Sequence, residues 1–144
     1  MPINREYVGR TFSSTRGYEI SREKIREFAD AIGDQNPAYR TDDPVAPPTF
    51  PTVIDLHVSG DALADGDLGL EFSRAVHGEQ RYVYERLMKP GDVISTSTTI
   101  TEIKDAGRNE IMVLVTEYRD ARNDLVCTGH NTVVSRGTAV EAQT

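Results

Sequence analysis

The chain has 144 residues, a common size for one domain and long enough to bury a core without disulfides or metal ions. Its 16 basic and 23 acidic residues give a net charge of -7, which disfavours sequence-independent binding to nucleic acid or to an anionic membrane. Because Cys127 is the one cysteine and no apolar run approaches the length of a membrane span, we expect a soluble cytoplasmic protein without internal disulfides.

The first half of the chain predicts two helices joined by a proline-rich loop. Residues 1–20 predict an irregular strand or a short ribbon. Ser21 is typical of an N-cap, and the i, i+3, i+4, i+7 spacing after it predicts a helix of about three turns with one buried face, formed by Ile25, Phe28, Ala29 and Ile32. Four prolines make residues 40–52 a loop. Residues 53–64 are apolar enough for a second helix.

The second half predicts an antiparallel meander. Its four strand-like runs are separated by turn residues and cover residues 78–88, 93–103, 111–115 and 125–135. The third run is continuously apolar, which predicts a central strand buried on both faces. Helices followed by such a meander indicate the α+β class. We expect one domain over residues 1–136 and a flexible C-terminal tail over residues 137–144.

The stretch Gly33-Asp34-Gln35-Asn36-Pro37-Ala38-Tyr39 places polar side chains directly after the first helix. Taken alone it is typical of a helix end followed by a turn. It also resembles the hydratase motif of MaoC-like hot-dog enzymes, Asp-x-Asn-Pro-x-His. That resemblance implies that Asp34, Asn36 and Tyr39 occupy the catalytic motif, with a tyrosine where the motif has histidine. A phenol with an ordinary pKa of about 10 stays protonated at pH 7, so Tyr39 is a poor general base.

Further segments extend the resemblance over roughly residues 5–136, and they read Ala46-Pro47-Pro48-Thr49-Phe50-Pro51, Leu68-Gly69-Leu70, His77-Gly78-Glu79-Gln80-Arg81-Tyr82-Val83-Tyr84 and Lys89-Pro90-Gly91-Asp92. Through them the chain resembles FAS1-like dehydratase domains. It is most similar to actinobacterial MaoC-like subunits typified by the non-catalytic subunit of a heterodimeric 3-hydroxyacyl-acyl-carrier-protein dehydratase. The resemblance implies an α+β hot-dog fold, in which an antiparallel sheet is wrapped around a central helix. We expect no cofactor and no metal ion.

The same resemblance implies a subunit of a (3R)-hydroxyacyl thioester dehydratase or enoyl hydratase in fatty acid elongation or acyl metabolism. Its substrate would be an acyl-CoA or an acyl-ACP. A sheet with two edges needs cover, so we expect a homodimer, or a heterodimer with a catalytic MaoC-like subunit that supplies the Asp/His dyad. The candidate substrate-binding residues are Pro48, Thr49, Phe50, His57, Tyr82 and Tyr84.

Each candidate also has a structural interpretation. The Pro48-Thr49-Phe50 segment suits a stiff packing connector, the two tyrosines share a strand face that suits a core or an interface, and His57 suits a half-buried or surface position. Catalytic relatives begin the central helix with a His-Gly pair, whereas residues 54–58 here contain no glycine. Two alternatives remain open: a self-sufficient homodimeric hydratase using Asp34 with His57 or a water-mediated base, and an acyl-thioester-binding module without chemistry.

Overall fold

A computed structural model describes residues 2–58 and 61–140. In these ranges the helices are α1 (Arg22–Ala31), α2 (Pro51–Val58) and α3 (Asp61–Ala64), and the strands are β1 (Thr11–Ser13), β2 (Tyr18–Glu19), β3 (Ala75–Tyr84), β4 (Val93–Ala106), β5 (Asn109–Arg119) and β6 (Leu125–Ser135). Short 3-10 turns lie at Arg5–Tyr7, Pro37–Tyr39, Gly66–Leu68 and Phe72–Arg74. Within the described ranges, every helix is too short or too polar to cross a membrane.

The strands form one antiparallel sheet in the order β1-β4-β5-β6-β3, and β2 pairs with the first residues of β4. The predicted meander is therefore present. β6 has the predicted bounds, while β3 begins earlier than predicted and β4 continues to Ala106. Because β3 is the last strand of this order, one of its edges pairs with β6 and the other faces away from the sheet.

The inner face of the sheet is wrapped around α2. This helix buries Val53, Ile54 and Val58 in a cluster with residues of α1, β4, β5 and β6. A second apolar cluster lies at the other end of the sheet and includes Ile100, Met112 and Val133. The prediction of an α+β hot-dog fold, with an antiparallel sheet around a central helix, is confirmed.

Three sequence-based expectations need correction. Ile32 is 48% exposed because it is the C-cap of α1, so the helical spacing no longer directs it inward. β5 is central but alternates between buried and half-buried residues, because the helices cover only one face of the sheet. The second helix begins earlier than predicted, at Pro51, and is described as α2 and α3, with residues 59 and 60 outside the described ranges.

The packed part of the chain also extends past the predicted boundary at residue 136. Gly137 donates its N–H to Asn109 Oδ1 at 3.0 Å, and Ala139 donates to the Arg108 carbonyl at 3.2 Å. Thr138 is 2% exposed and Ala139 is fully buried. These small side chains, which suggested a mobile segment, therefore pack beside the β4–β5 turn. The rest of the predicted tail, residues 141–144, lies outside the described residues.

Candidate functional site

The motif loop, residues 33–40, is closed by its own hydrogen bonds. Gly33 ends α1 in the left-handed conformation with a φ of 71°. Asp34 Oδ1 then accepts the N–H of Asn36 at 3.0 Å, and Asn36 Oδ1 accepts the N–H of Ala38 at 3.0 Å. Side-chain acceptors of this kind replace backbone partners in a turn. Both polar side chains of the motif therefore hold the loop's own backbone.

Tyr39 and Arg40 tie the motif loop to the rest of the molecule. Tyr39 is 8% exposed and belongs to the apolar cluster around α2. The Arg40 guanidinium donates to the Asp34 carbonyl at 2.6 Å and pairs with the Asp30 carboxylate at 2.6 Å. The residue at the motif's histidine position is thus a core side chain.

The loop before α2 has a packing role at two of its three candidate positions. Phe50 is fully buried and meets Phe28 edge to face, with 5.6 Å between ring centroids. The carbonyl of Pro48 accepts the hydroxyl of Tyr84 at 2.6 Å, which fastens the loop to β3. Thr49 is exposed.

The N-terminus of α2 offers few donors to a thioester oxygen. Pro51, its first residue, has no N–H. The N–H groups of Thr52 and Val53 donate to the carbonyls of Thr49 and Phe50 at 3.2 and 2.9 Å. An oxyanion site needs backbone N–H groups directed at the ligand, so this helix start is poorly suited to that task.

His57 lies on an exposed side of α2. Its Nδ1 donates to the Val53 carbonyl at 2.7 Å, so the neutral ring carries its proton on Nδ1. The imidazole packs against Tyr18, with 5.2 Å between ring centroids. It therefore faces β2 and not the cavity described next.

A cavity of about 560 Å³ lies between α2 and the β6–β3 end of the sheet, within the size range of small-molecule sites. It is lined mainly by apolar surface, and its described lining residues are Thr49, Thr52, Asp55, Leu56, Leu63, Phe72, His77, Gln80, Tyr82 and Asn131. Leu56 and Phe72 at its rim are 79% and 62% exposed.

The cavity brings together only part of the predicted site. Thr49 and Tyr82 line it. The other candidates, which are absent from the described lining, are Asp34, Asn36, Tyr39, Pro48, Phe50, His57 and Tyr84. Among residues 2–58 and 61–140, no group of three or more His, Cys, Asp or Glu side chains is placed to bind a metal ion.

Sequence reasoning missed Asp55, which lines the cavity, and its partner Tyr118, which lines a smaller recess that shares Asp55 with the cavity. The Tyr118 hydroxyl donates to both Asp55 carboxylate oxygens at 2.8 Å, and the Tyr82 and Thr52 hydroxyls are 3.0 Å apart. Burial, and then the charge of Asp55, raise the pKa of Tyr118 above its ordinary value, and burial raises that of Tyr82. Both phenols are therefore neutral near pH 7. The sequence did contain one signal for Asp55, which is a carboxylate on the buried side of an apolar helix.

Gly129 of β6 makes room for these two rings. It is paired with Tyr82 on one side, and a Cβ here would lie 3.2 Å from the Tyr118 ring and 3.3 Å from the Tyr82 ring. Such distances are tighter than ordinary van der Waals contact. The glycine therefore lets both phenols lie over the sheet beside α2.

Comparison with known proteins identifies the family. The model described as "FAS1-like, dehydratase domain region" matches residues 6–129. The chain belongs to this family. A UPF0336 protein from Thermobifida fusca (strain YX) is 45% identical over 148 residues, covering 96% of this chain and 97% of that protein. The family assignment confirms the resemblance to MaoC-like dehydratase domains.

Solved structures support the fold. A chain of the C-terminally truncated HadBC (3R-hydroxyacyl-ACP dehydratase) complex from Mycobacterium tuberculosis superposes with a TM-score of 0.79 at 24% identity, covering 90% of this chain and 97% of that one. The (R)-hydratase from A. caviae involved in PHA biosynthesis gives 0.61 at 17% identity, covering 88% and 94%. At these identities the likeness establishes the hot-dog fold.

Proposed function

We propose that this chain is a subunit of a (3R)-hydroxyacyl thioester dehydratase or enoyl hydratase. It contributes the acyl-binding channel, and a partner subunit supplies the Asp/His dyad. The observation that carries this proposal is the contrast between a ligand-sized, mainly apolar cavity and a motif loop whose histidine position holds the buried Tyr39. Family membership and the fold of the hydratases named above support the reaction class.

The chemistry explains why a partner is needed. Hydration of an enoyl thioester forms a bond from the water oxygen to C3, so a base must take a proton from that water while C2 gains one. In this chain Asp34 Oδ1 accepts a backbone N–H, and the motif position that would supply the imidazole holds Tyr39, a core phenol. The start of α2 adds little stabilisation for the thioester oxygen, since its first N–H groups already donate to carbonyls. A carboxylate and an imidazole from another subunit would complete the site.

The surface around β3 supports such an assembly. One edge of this ten-residue strand is unpaired within the described chain. Val76 and Val83 on the strand are 42% and 43% exposed, and the exposed Leu56 and Phe72 stand at the cavity rim. An open strand edge beside apolar side chains is a template for pairing with another chain. A partner docked here would cover the mouth of the cavity.

Co-expression tests the proposal. We expect this chain to co-purify with a MaoC-like subunit that has an intact Asp and His, and the complex to hydrate crotonyl-CoA or longer enoyl thioesters while this chain alone is inert. Leu56→Arg should weaken the complex because it places a charge at the rim. Val8→Arg is the matched control, since Val8 is also exposed, at 43%. Val8 lies just before β1, at the edge of the sheet opposite β3.

Other outcomes point to the alternatives. Brisk turnover by the isolated chain, abolished by Asp34→Asn, would favour a self-sufficient homodimeric hydratase. Retention of a long-chain acyl thioester without turnover, even beside each candidate partner, would favour a binding module. Failure to form a complex, with no gain in activity, would contradict the proposed role.

A further inference from the structure

A second pocket, which we call the distal pocket, adjoins the cavity near the start of β3 and has a volume of about 200 Å³. Half of its described lining residues also line the 560 Å³ cavity, and these are Leu63, Phe72, His77 and Asn131. The others are Leu70, Ala75, Val76 and Val133. Because the two spaces share a wall and Ala75 packs against the second apolar cluster, the distal pocket extends the cavity toward that end of the sheet.

Strand register shows that the two spaces follow one another along the inner face of β3. Tyr82, which lines the cavity, is paired with Gly129 of β6. His77, which lines both spaces, is paired with Val133, and Ala75 at the distal pocket is paired with Ser135. A ligand lying along β3 would therefore pass from the cavity into the distal pocket.

A β-bulge at Gly78 keeps these lining residues on one face of the sheet. The register of β3 on β6 shifts between His77 and Glu79, so His77 and Ala75 lie on the same face as Tyr82. A Cβ on Gly78 would lie 3.0 Å from a side-chain atom of β6, which is closer than ordinary van der Waals contact. The glycine therefore permits the bulge that continues the inner face into the distal pocket.

The two spaces together have the length of a long acyl chain. At about 3.3 Å per strand residue, Val133 is about 13 Å and Ser135 about 20 Å from Gly129 along β6. Carbon–carbon bonds of about 1.5 Å at near-tetrahedral angles advance an extended hydrocarbon by about 1.25 Å per carbon. An acyl chain that starts beside Tyr82 therefore reaches the distal pocket after about ten carbons.

Polarity sets the direction in which such a chain would lie. The cavity has the hydroxyls of Thr49, Thr52 and Tyr82 near the start of α2, whereas the four described residues that line only the distal pocket are apolar. Phe72 and Val76 are 62% and 42% exposed, so apolar surface at the distal pocket is open to a ligand. The polar thioester end therefore suits the cavity, and a hydrocarbon end suits the distal pocket.

We propose that the distal pocket binds the far end of a long acyl chain whose thioester group lies in the cavity beside Tyr82. The protein then selects acyl thioesters with more than about ten carbons. Ala75 is the residue that sets this preference, because a larger side chain at its position would fill the pocket. This inference rests on the proposed acyl-binding role and adds chain length to it.

A series of saturated acyl pantetheines tests the preference without any variant. Affinities for the hexanoyl, octanoyl, decanoyl, dodecanoyl and tetradecanoyl members are measured by calorimetry, with the isolated chain and with its complex. We expect the affinity to keep rising beyond the decanoyl member, by about threefold for each added methylene, because these methylenes enter an apolar pocket. A plateau at the decanoyl member would overturn the proposal, since further methylenes would then remain in water.

Substitution of Ala75 tests where the end of the chain lies. Ala75→Phe should abolish the rise beyond the decanoyl member and leave octanoyl binding within about twofold of the wild type, because the shorter chain ends before the distal pocket. Ala75→Leu adds less volume and should give a partial loss in the same direction. Ala121→Phe is the matched control, since Ala121 is exposed in the turn between β5 and β6, and it should keep the wild-type dependence.

The remaining outcomes separate this inference from the proposed function. A rise that survives Ala75→Phe would overturn the distal pocket as the site, since the end of the chain would then lie elsewhere. A rise that the isolated chain shows and the complex lacks would also overturn it, because a partner side chain would then fill the pocket. Absence of binding by every member of the series would count against the acyl-binding role itself.

Discussion

The motif loop and the cavity are two polar regions built in opposite ways. In the loop, Asp34 and Asn36 bind amides two residues away in the chain, so the sequence motif closes on itself. At the cavity, the lining residue Asp55 accepts a hydrogen bond from Tyr118, which is 63 residues away in the chain, and the two meet because the sheet wraps α2. The loop matches a catalytic signature without its imidazole, whereas the cavity has room for a ligand without any such signature. The polar side chains of the motif thus hold the loop's own backbone, and the proposed acyl site is lined by other residues.

The largest expected effect of a substitution tests whether Tyr39 is structural. Tyr39→Ala should lower the free energy of unfolding by about 3 kcal/mol, because it leaves a cavity in the apolar cluster around α2. Urea denaturation measures this loss. Tyr39→His should also be destabilised and should not confer hydratase activity on the isolated chain. A stable, active Tyr39→His protein would break the distinction between the two regions.

The next effect concerns the hydrogen bond between Tyr118 and Asp55, which lines the cavity. Tyr118→Phe should cost about 2 kcal/mol, since it takes a buried hydroxyl from the Asp55 carboxylate, and hydrogen bonds to charged groups are among the stronger ones. Tyr82→Phe is the matched control and should cost less than about 1 kcal/mol, because its hydroxyl meets the neutral, exposed Thr52. Equal costs in urea denaturation would show that Asp55 and Tyr118 are not specially coupled.

The sequence predicted the fold better than the cavity for a physical reason. Helix spacing after Ser21, turn residues such as Pro90-Gly91 and β-branched runs are local signals, and they located α1 and the strands of the meander. Tyr82 was found because it shares a strand face with Tyr84. Asp55 was not found, because its partner Tyr118 lies on β5, and the two residues meet only when the sheet wraps α2. The hydrogen bonds of Gly137 and Ala139 were not anticipated for the same reason, as their partners lie near the β4–β5 turn, far away in the chain.

A smaller effect tests whether Asp34 only stabilises the turn or takes part in catalysis. Asp34→Ala should cost about 1 kcal/mol because the N–H of Asn36 loses its acceptor, whereas Asp34→Asn keeps an Oδ1 acceptor and should be within about 0.5 kcal/mol of the wild type. In the assembled complex, Asp34→Asn should change kcat/KM for enoyl thioesters by less than about threefold. A drop of a hundredfold with normal stability would place Asp34 in the chemistry.

The smallest effect at neutral pH involves Cys127, which shares the inner face of β6 with Gly129. Burial raises the pKa of its thiol to about 12, from an ordinary value of about 9. The unfolded chain therefore loses this proton above about pH 9, whereas the folded chain keeps it until about pH 12. The resulting contribution to stability is complete below pH 9 and disappears as the pH rises through 12.

Comparison of the wild type with Cys127→Ala isolates this contribution from that of the tyrosines, because both proteins share those phenols. The difference between their unfolding free energies should be constant from neutral pH to about pH 9 and should then shrink as the pH rises further. Urea denaturation at several pH values measures it. A difference that stays constant into the alkaline range would mean that the thiol ionises equally well in the folded protein. The inner face of β6 beside α2 would then be open to water, as the motif loop is, and the contrast between the two regions would be weaker.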